Sequence, residues 1–94
     1  MELLIQELLN DIERVHKNLR ICNNVLTIHR DKFYSIVSAN TEQAELHLER
    51  YGWWVRRRLS IITHLRRLRI RLEEAVTQLE EEGKSGGLEK GDPE

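Results

Sequence analysis

Apolar residues recur along the first part of the chain in alternating steps of three and four. Ile5, Leu8, Ile12, Val15, Leu19, Cys22 and Leu26 keep this rhythm, and His29, Phe33 and Ile36 extend it. Such steps bring every member to one side of an α-helix, so the pattern predicts a heptad seam sustained over more than four heptads. Leu4, Leu9, Val25, Ile28 and Val37 widen the seam into a band. A band suits a helix of a bundle better than one strand of a two-stranded zipper. At ~1.5 Å per residue, a first helix over about residues 2–37 runs roughly 50 Å.

The rhythm lapses at Ser38-Ala39-Asn40-Thr41. Asn40 is the expected N-cap of a second helix, Gln43 three residues later completes a capping box, and Glu42 favours the positive helix end. A short polar turn (38–41) between two long amphipathic helices predicts an antiparallel hairpin. The second helix is expected over about residues 41–82, with Gly52 as the point where it would kink or divide. Gly83-Lys84-Ser85-Gly86-Gly87 predicts its end, followed by a disordered acidic tail over 83–94. The fold class is therefore all-α: one hairpin domain over residues 1–82. Leu9, Val25, Ile28, Ile61 and Ile70 flank the main seams and would leave a monomer with exposed apolar surface. A homodimer forming a four-helix bundle is the expected remedy.

Charge changes this picture. Residues 1–49 carry about −3, residues 50–72 about +8 and residues 73–94 about −6, which together give the net charge of −1. No acidic residue lies between Glu49 and Glu73, while Arg50, Arg56, Arg57, Arg58, Arg66, Arg67, Arg69 and Arg71 all do. A helix stabilised only by surface ion pairs would interleave glutamate at i,i+4 spacing. These cations are instead available to an anionic partner, with nucleic acid first among the candidates.

At 100° per residue, Leu48, Val55, Leu59, Ile62, Leu65, Leu68, Leu72, Val76 and Leu79 form a drifting apolar stripe on the second helix. Nearly opposite lie Trp53, Arg56, Arg57, Ser60, His64, Arg67 and Arg71, a row about 27 Å long. Such a row on a rigid rod could follow one side of A-form duplex RNA, from one minor groove across the intervening major-groove phosphates. Arginine supplies bidentate phosphate geometry, and Ser60, Thr63 and His64 can hydrogen-bond phosphate or 2′-OH groups. Asparagine and glutamine, which read base edges, are almost absent from the row, so binding would be indifferent to sequence. Trp53 would stack on an end base or an unpaired nucleotide, or else pack against a second subunit. Arg69 and Arg66 are expected to pair across the hairpin with the Asp11 region and Glu13. Arg58, on the apolar side, would face Ile21 and Cys22 and snorkel outward.

Other chemistry is thin. His16, His29, His47 and His64 show no metal-ligand spacing with supporting cysteines, so no zinc or other metal site is expected. No nucleophile–base arrangement or glycine-rich phosphate loop appears, and two rods make a poor water-excluding pocket, so neither an enzyme nor a cofactor is expected. One cysteine, no signal-like start and no long apolar run suit a soluble protein of a reducing compartment, the cytoplasm.

The opening segment Leu4-Ile5-Gln6-Glu7-Leu8, followed by Ile12, together with the long helices and basic second helix, resembles the small RNA-silencing suppressor proteins of nodaviruses. The resemblance implies a helical dimer that binds one side of double-stranded RNA without reading sequence, in the cytoplasm of a host cell. It transfers no contact residues, and the row above rests on helix geometry. The alternative from another class is a coiled-coil adaptor whose basic segment docks an acidic protein partner. A further expectation has the acidic C-terminal segment folding back on the arginines and tuning their binding.

Overall fold

The computed structural model describes the backbone of residues 2–90 and the side chains of residues 2–83. It is a hairpin of two helices, α1 (Glu2–Ile36) and α2 (Thr41–Lys90), extending 82 × 15 × 15 Å. Among the described residues there is no strand, and no helix is long and apolar enough to cross a membrane.

All ten residues of the α1 seam are buried or half-buried. Leu8, Val15, Cys22 and Leu26 form the deepest line, with Ile5, Ile12 and Leu19 packed beside them. Two contacts fix the register against α2. The Cys22 thiol donates to the Trp54 carbonyl at 3.4 Å, and His29 Nδ1 lies 3.1 Å from His47 Nδ1. Seven residues forward in α1 are thus matched by seven residues back in α2, two turns of each helix. Continuing that match away from the turn sets Val15 opposite Ile61 and Leu8 opposite Leu68, and all four are buried.

The turn closes tightly. The Ile36 carbonyl accepts the amides of both Ala39 (3.0 Å) and Asn40 (2.8 Å), which satisfies the end of α1. Asn40 Oδ1 accepts the Gln43 amide at 3.1 Å, so Asn40 is the N-cap. The capping box itself does not form. Its return bond would need the Asn40 amide, which is already donated to Ile36, so Gln43 has nothing left to cap.

Three further expectations are corrected. First, α2 runs past Glu82 to Lys90, and it is also unbroken at Gly52, where the sequence left its continuity open. A glycine ends a helix when it enters the left-handed conformation, and no described glycine has positive φ. Of the expected disordered tail over 83–94, residues 83–90 are helical, and 91–94 lie outside the described residues. Helix α2 therefore continues past the end of α1 as far as Lys90.

Second, the apolar stripe of α2 divides. Ala44, Ile61, Leu65, Leu68 and Ala75 are buried against α1, while Leu48, Leu59 and Val76 are exposed. Third, Arg66 and Arg69 make no ion pair across the hairpin among the described residues. Asp11 pairs instead with Arg14 at 3.5 Å and Glu13 with Lys17 at 3.7 Å, each within α1. Neighbours three or four apart on one helix need less side-chain ordering than partners across a seam. Arg58 holds a seam position between Trp54 and Ile61 yet is exposed. By the register it stands about a turn beyond Cys22, near Leu19, with its head group in water.

Candidate nucleic-acid interface

The seam of α2 separates two flanks. On one, Arg50, Trp53, Arg57, Ser60, His64, Arg67 and Arg71 follow one another in steps of three and four, forming a straight line. Every one of them is exposed. Arg56 lies one position off this line, on the side away from α1, and is exposed as well. The predicted row is thus a continuous solvent-facing surface, to which the structure adds Arg50 at the end nearest the turn.

None of these arginines has an ion-pair partner among the described residues. The ion pairs among the described residues are Arg14–Asp11, Lys17–Glu13 and Arg30–Asp31, all in α1. The neighbouring hydroxyl Thr63 is spent on its own helix, donating to the Leu59 carbonyl at 2.9 Å. Ser60 has no such bond, which leaves its hydroxyl free for a ligand oxygen.

Helix α1 contributes a residue that sequence reasoning missed. Asn18 and Val15 join Arg57, Ser60, Ile61 and His64 around one cleft between the helices. Its polar rim holds a guanidinium, a hydroxyl, an imidazole and an amide, a set of donors suited to phosphate or ribose oxygens. Asn18 stands just outside the α1 seam, and only the register across the hairpin reveals which α2 residues it meets.

Trp53 is 53 % exposed and meets Trp54 edge-on, with ring centroids 4.9 Å apart at 81°. Trp54 is half-buried against the core, so it braces Trp53 while leaving much of that indole in solvent. Leu46, Glu49, Arg50, Trp53 and Arg56 surround a shallow hollow at this end of the row.

The histidines divide by position. His64 belongs to the arginine flank, whereas His29 and His47 form an interhelical pair near the turn, with ring centroids 5.3 Å apart. Burial holds the His29 pKa below its ordinary value, and the charges of His47, Arg50 and Lys32 push it the same way. A contact between two Nδ1 atoms needs one donor and one acceptor, so the pair accommodates a single Nδ1 proton. No group of three or more potential metal ligands occurs among the described residues.

No family model, curated protein or solved structure matches this chain.

Proposed function

We propose that the hairpin binds double-stranded RNA through the arginine flank of α2, recognising backbone charge and helix shape rather than base sequence. Arg56, Arg57, Arg67 and Arg71 would contact phosphates, and Ser60 and His64 would bond phosphate or 2′-OH oxygens. Trp53 would stack at the end of the row. The observation that carries the reading is a line of exposed arginines with no acidic partner among the described residues, on an uninterrupted helix and about 27 Å long. A coil or a kinked helix would have to be ordered on binding, whereas this row is already straight. On the family resemblance, coating duplex RNA would hide it from host nucleases, the role of a viral suppressor of RNA silencing.

Fluorescence anisotropy with a labelled RNA duplex of about 20 base pairs tests the reading, against the same single strand and duplex DNA over a salt series. Duplex RNA is expected to bind tightest, with affinity falling steeply as salt rises. Absence of binding to all three at low salt would end the nucleic-acid reading.

One observation favours the adaptor alternative. Leu46, 42 % exposed, sits beside Trp53 in the hollow at the end of the row, giving a docking protein a second apolar anchor. An acidic protein partner would be sensitive to Leu46→Ala, and duplex RNA would not.

A further inference from the structure

Helix α2 carries a second apolar line that its own chain leaves uncovered. Leu48, Val55, Leu59 and Ile62 share one strip of helix surface, with Gly52 in the gap between the first two. The strip lies roughly 100° around the axis from the hairpin seam, on the side away from the arginine flank. Leu59 is 60 % exposed and Leu48 52 %, while Val55 and Ile62 are half-buried. The adjoining edge of α1 brings Phe33 and Tyr34 beside Leu48 near the turn, but farther along it offers little apolar cover, since Arg20, Asn23, Thr27 and Arg30 line it and all are exposed.

Charge flanks the apolar middle of this strip, opposite in sign on its two sides. Arg66 and Arg69 continue it towards the C-terminus, and Glu45 and Glu49 lie beside it towards the N-terminus. All four are exposed, and none has an ion-pair partner among the described residues. Their spacing is centred on one residue. Glu49 and Arg69 stand ten positions either side of Leu59, Gly52 and Arg66 seven either side, and Val55 and Ile62 four and three. Glu73 follows a turn beyond Arg69 on the same strip. What matches on reversal is therefore the apolar middle together with Arg66 and Arg69, which come alongside Glu49, and not the outermost ends, where Glu45 meets Glu73.

We propose that two copies of this chain associate antiparallel, α2 against α2, with Leu59 at the twofold axis. Val55 of each copy meets Ile62 of the other, and Arg66 and Arg69 of each reach Glu49 and Glu45 of the other. Gly52 fits this arrangement. A Cβ there would meet nothing within the chain, so intrachain packing does not require glycine, whereas a second helix bringing Arg66 against it gains room. The association leaves both arginine flanks outward. It rests on side chains outside the proposed RNA contacts, so either reading can fail without the other.

Light scattering on the full chain, over concentrations up to about 100 μM, reads the assembly by mass action. Leu59→Cys under oxidation reads its geometry. Native Cys22 is 1 % exposed and buried in the hairpin, and does not compete. The expected result is a dimer that Leu59→Cys locks covalently, while Ile28→Cys, on the exposed far edge of α1, stays uncrosslinked. Arg66→Glu with Arg69→Glu should weaken the dimer at least about tenfold, and adding Glu45→Arg with Glu49→Arg should restore it. A monomer throughout the series would overturn the proposal. So would crosslinking at Ile28→Cys but not Leu59→Cys, or a charge reversal without effect.

Discussion

The two flanks of α2 are built from the same backbone and lie on either side of the same seam, yet they are opposite in kind. One carries Arg50, Arg57, His64, Arg67 and Arg71 with large apolar side chains, Leu46 and Trp53, only near the turn, and the other carries Leu48, Val55, Leu59 and Ile62. Helical periodicity alone treats both as edges of one amphipathic surface. The difference shows that a helix in a small hairpin has three surfaces to assign, and the core takes only one of them. The remaining two are where binding chemistry can reside.

The largest effect should come from reversing charge on the flanks separately. Arg57→Glu with Arg67→Glu is expected to weaken duplex-RNA affinity by 100-fold or more, roughly 3 kcal/mol, with helicity by circular dichroism unchanged. The same reversal at Arg66 and Arg69 should cost far less RNA affinity. Equal losses at both pairs would show that total charge, and not the arginine flank, governs binding.

Below that in size stands a change in the surface the flanks share. Leu68→Ala, at a site 3 % exposed between the helices, should destabilise the hairpin by about 2–4 kcal/mol in urea unfolding. Leu59→Ala, on the outward strip, should cost under about 1 kcal/mol in the monomer. Comparable losses from the two would contradict the division of the stripe into a buried and an exposed line.

Gly52→Ala should stabilise the monomeric hairpin by about 1 kcal/mol, because glycine is a poor helix former and the new methyl meets nothing in the chain. A lowered Tm in dilute solution would mean that the glycine serves the hairpin itself.

The smallest expected effect is one of pH. The folded-state pKa of His29 is depressed, first by burial and then by His47, Arg50 and Lys32. Above the unfolded value, near 6.5, both states hold a neutral imidazole and the stability of the pair is fully present. As pH falls below it, the unfolded chain takes the proton first, and stability declines towards the folded pKa. His29→Gln should flatten the fall in Tm between about pH 7 and pH 5. An unchanged slope would remove the pair from the acid response.

The sequence was most legible where a helix has one apolar face. Every residue of the α1 seam from Ile5 to Ile36 is buried or half-buried, because its unbroken 3–4 rhythm outweighs the scattered apolar residues beside it, such as Leu9, Ile21 and Ile28, which stay exposed. In α2 the competition was real. Leu59 and Leu48 outrank Ala44 and Ala75 in hydrophobicity, so a stripe drawn through the strongest residues passes over small ones that are buried. The arginine row was legible because exposure of guanidinium groups follows from charge alone. Asn18 and the His29–His47 pair were not, since both depend on register, which is fixed by layers of contact and not by either helix separately. The glycines after Glu82 misled because their conformational freedom permits a helix to stop without requiring it.

The short turn between Ile36 and Thr41 also sets an order of assembly. Contacts across a hairpin join residues ever farther apart in the chain as they recede from the bend, from Phe33 and Ala44 near it to Leu8 and Leu68. Closing a longer loop is entropically dearer unless the one inside it has already formed. Folding should therefore proceed as a zipper from the bend, with the His29–His47 layer early and the Leu8–Leu68 layer late. Most of the arginine row, from Arg57 to Arg71, lies on the late half. The same half should be first to part when the rod breathes, so a duplex laid along it would act as a splint, slowing amide exchange there more than at the bend.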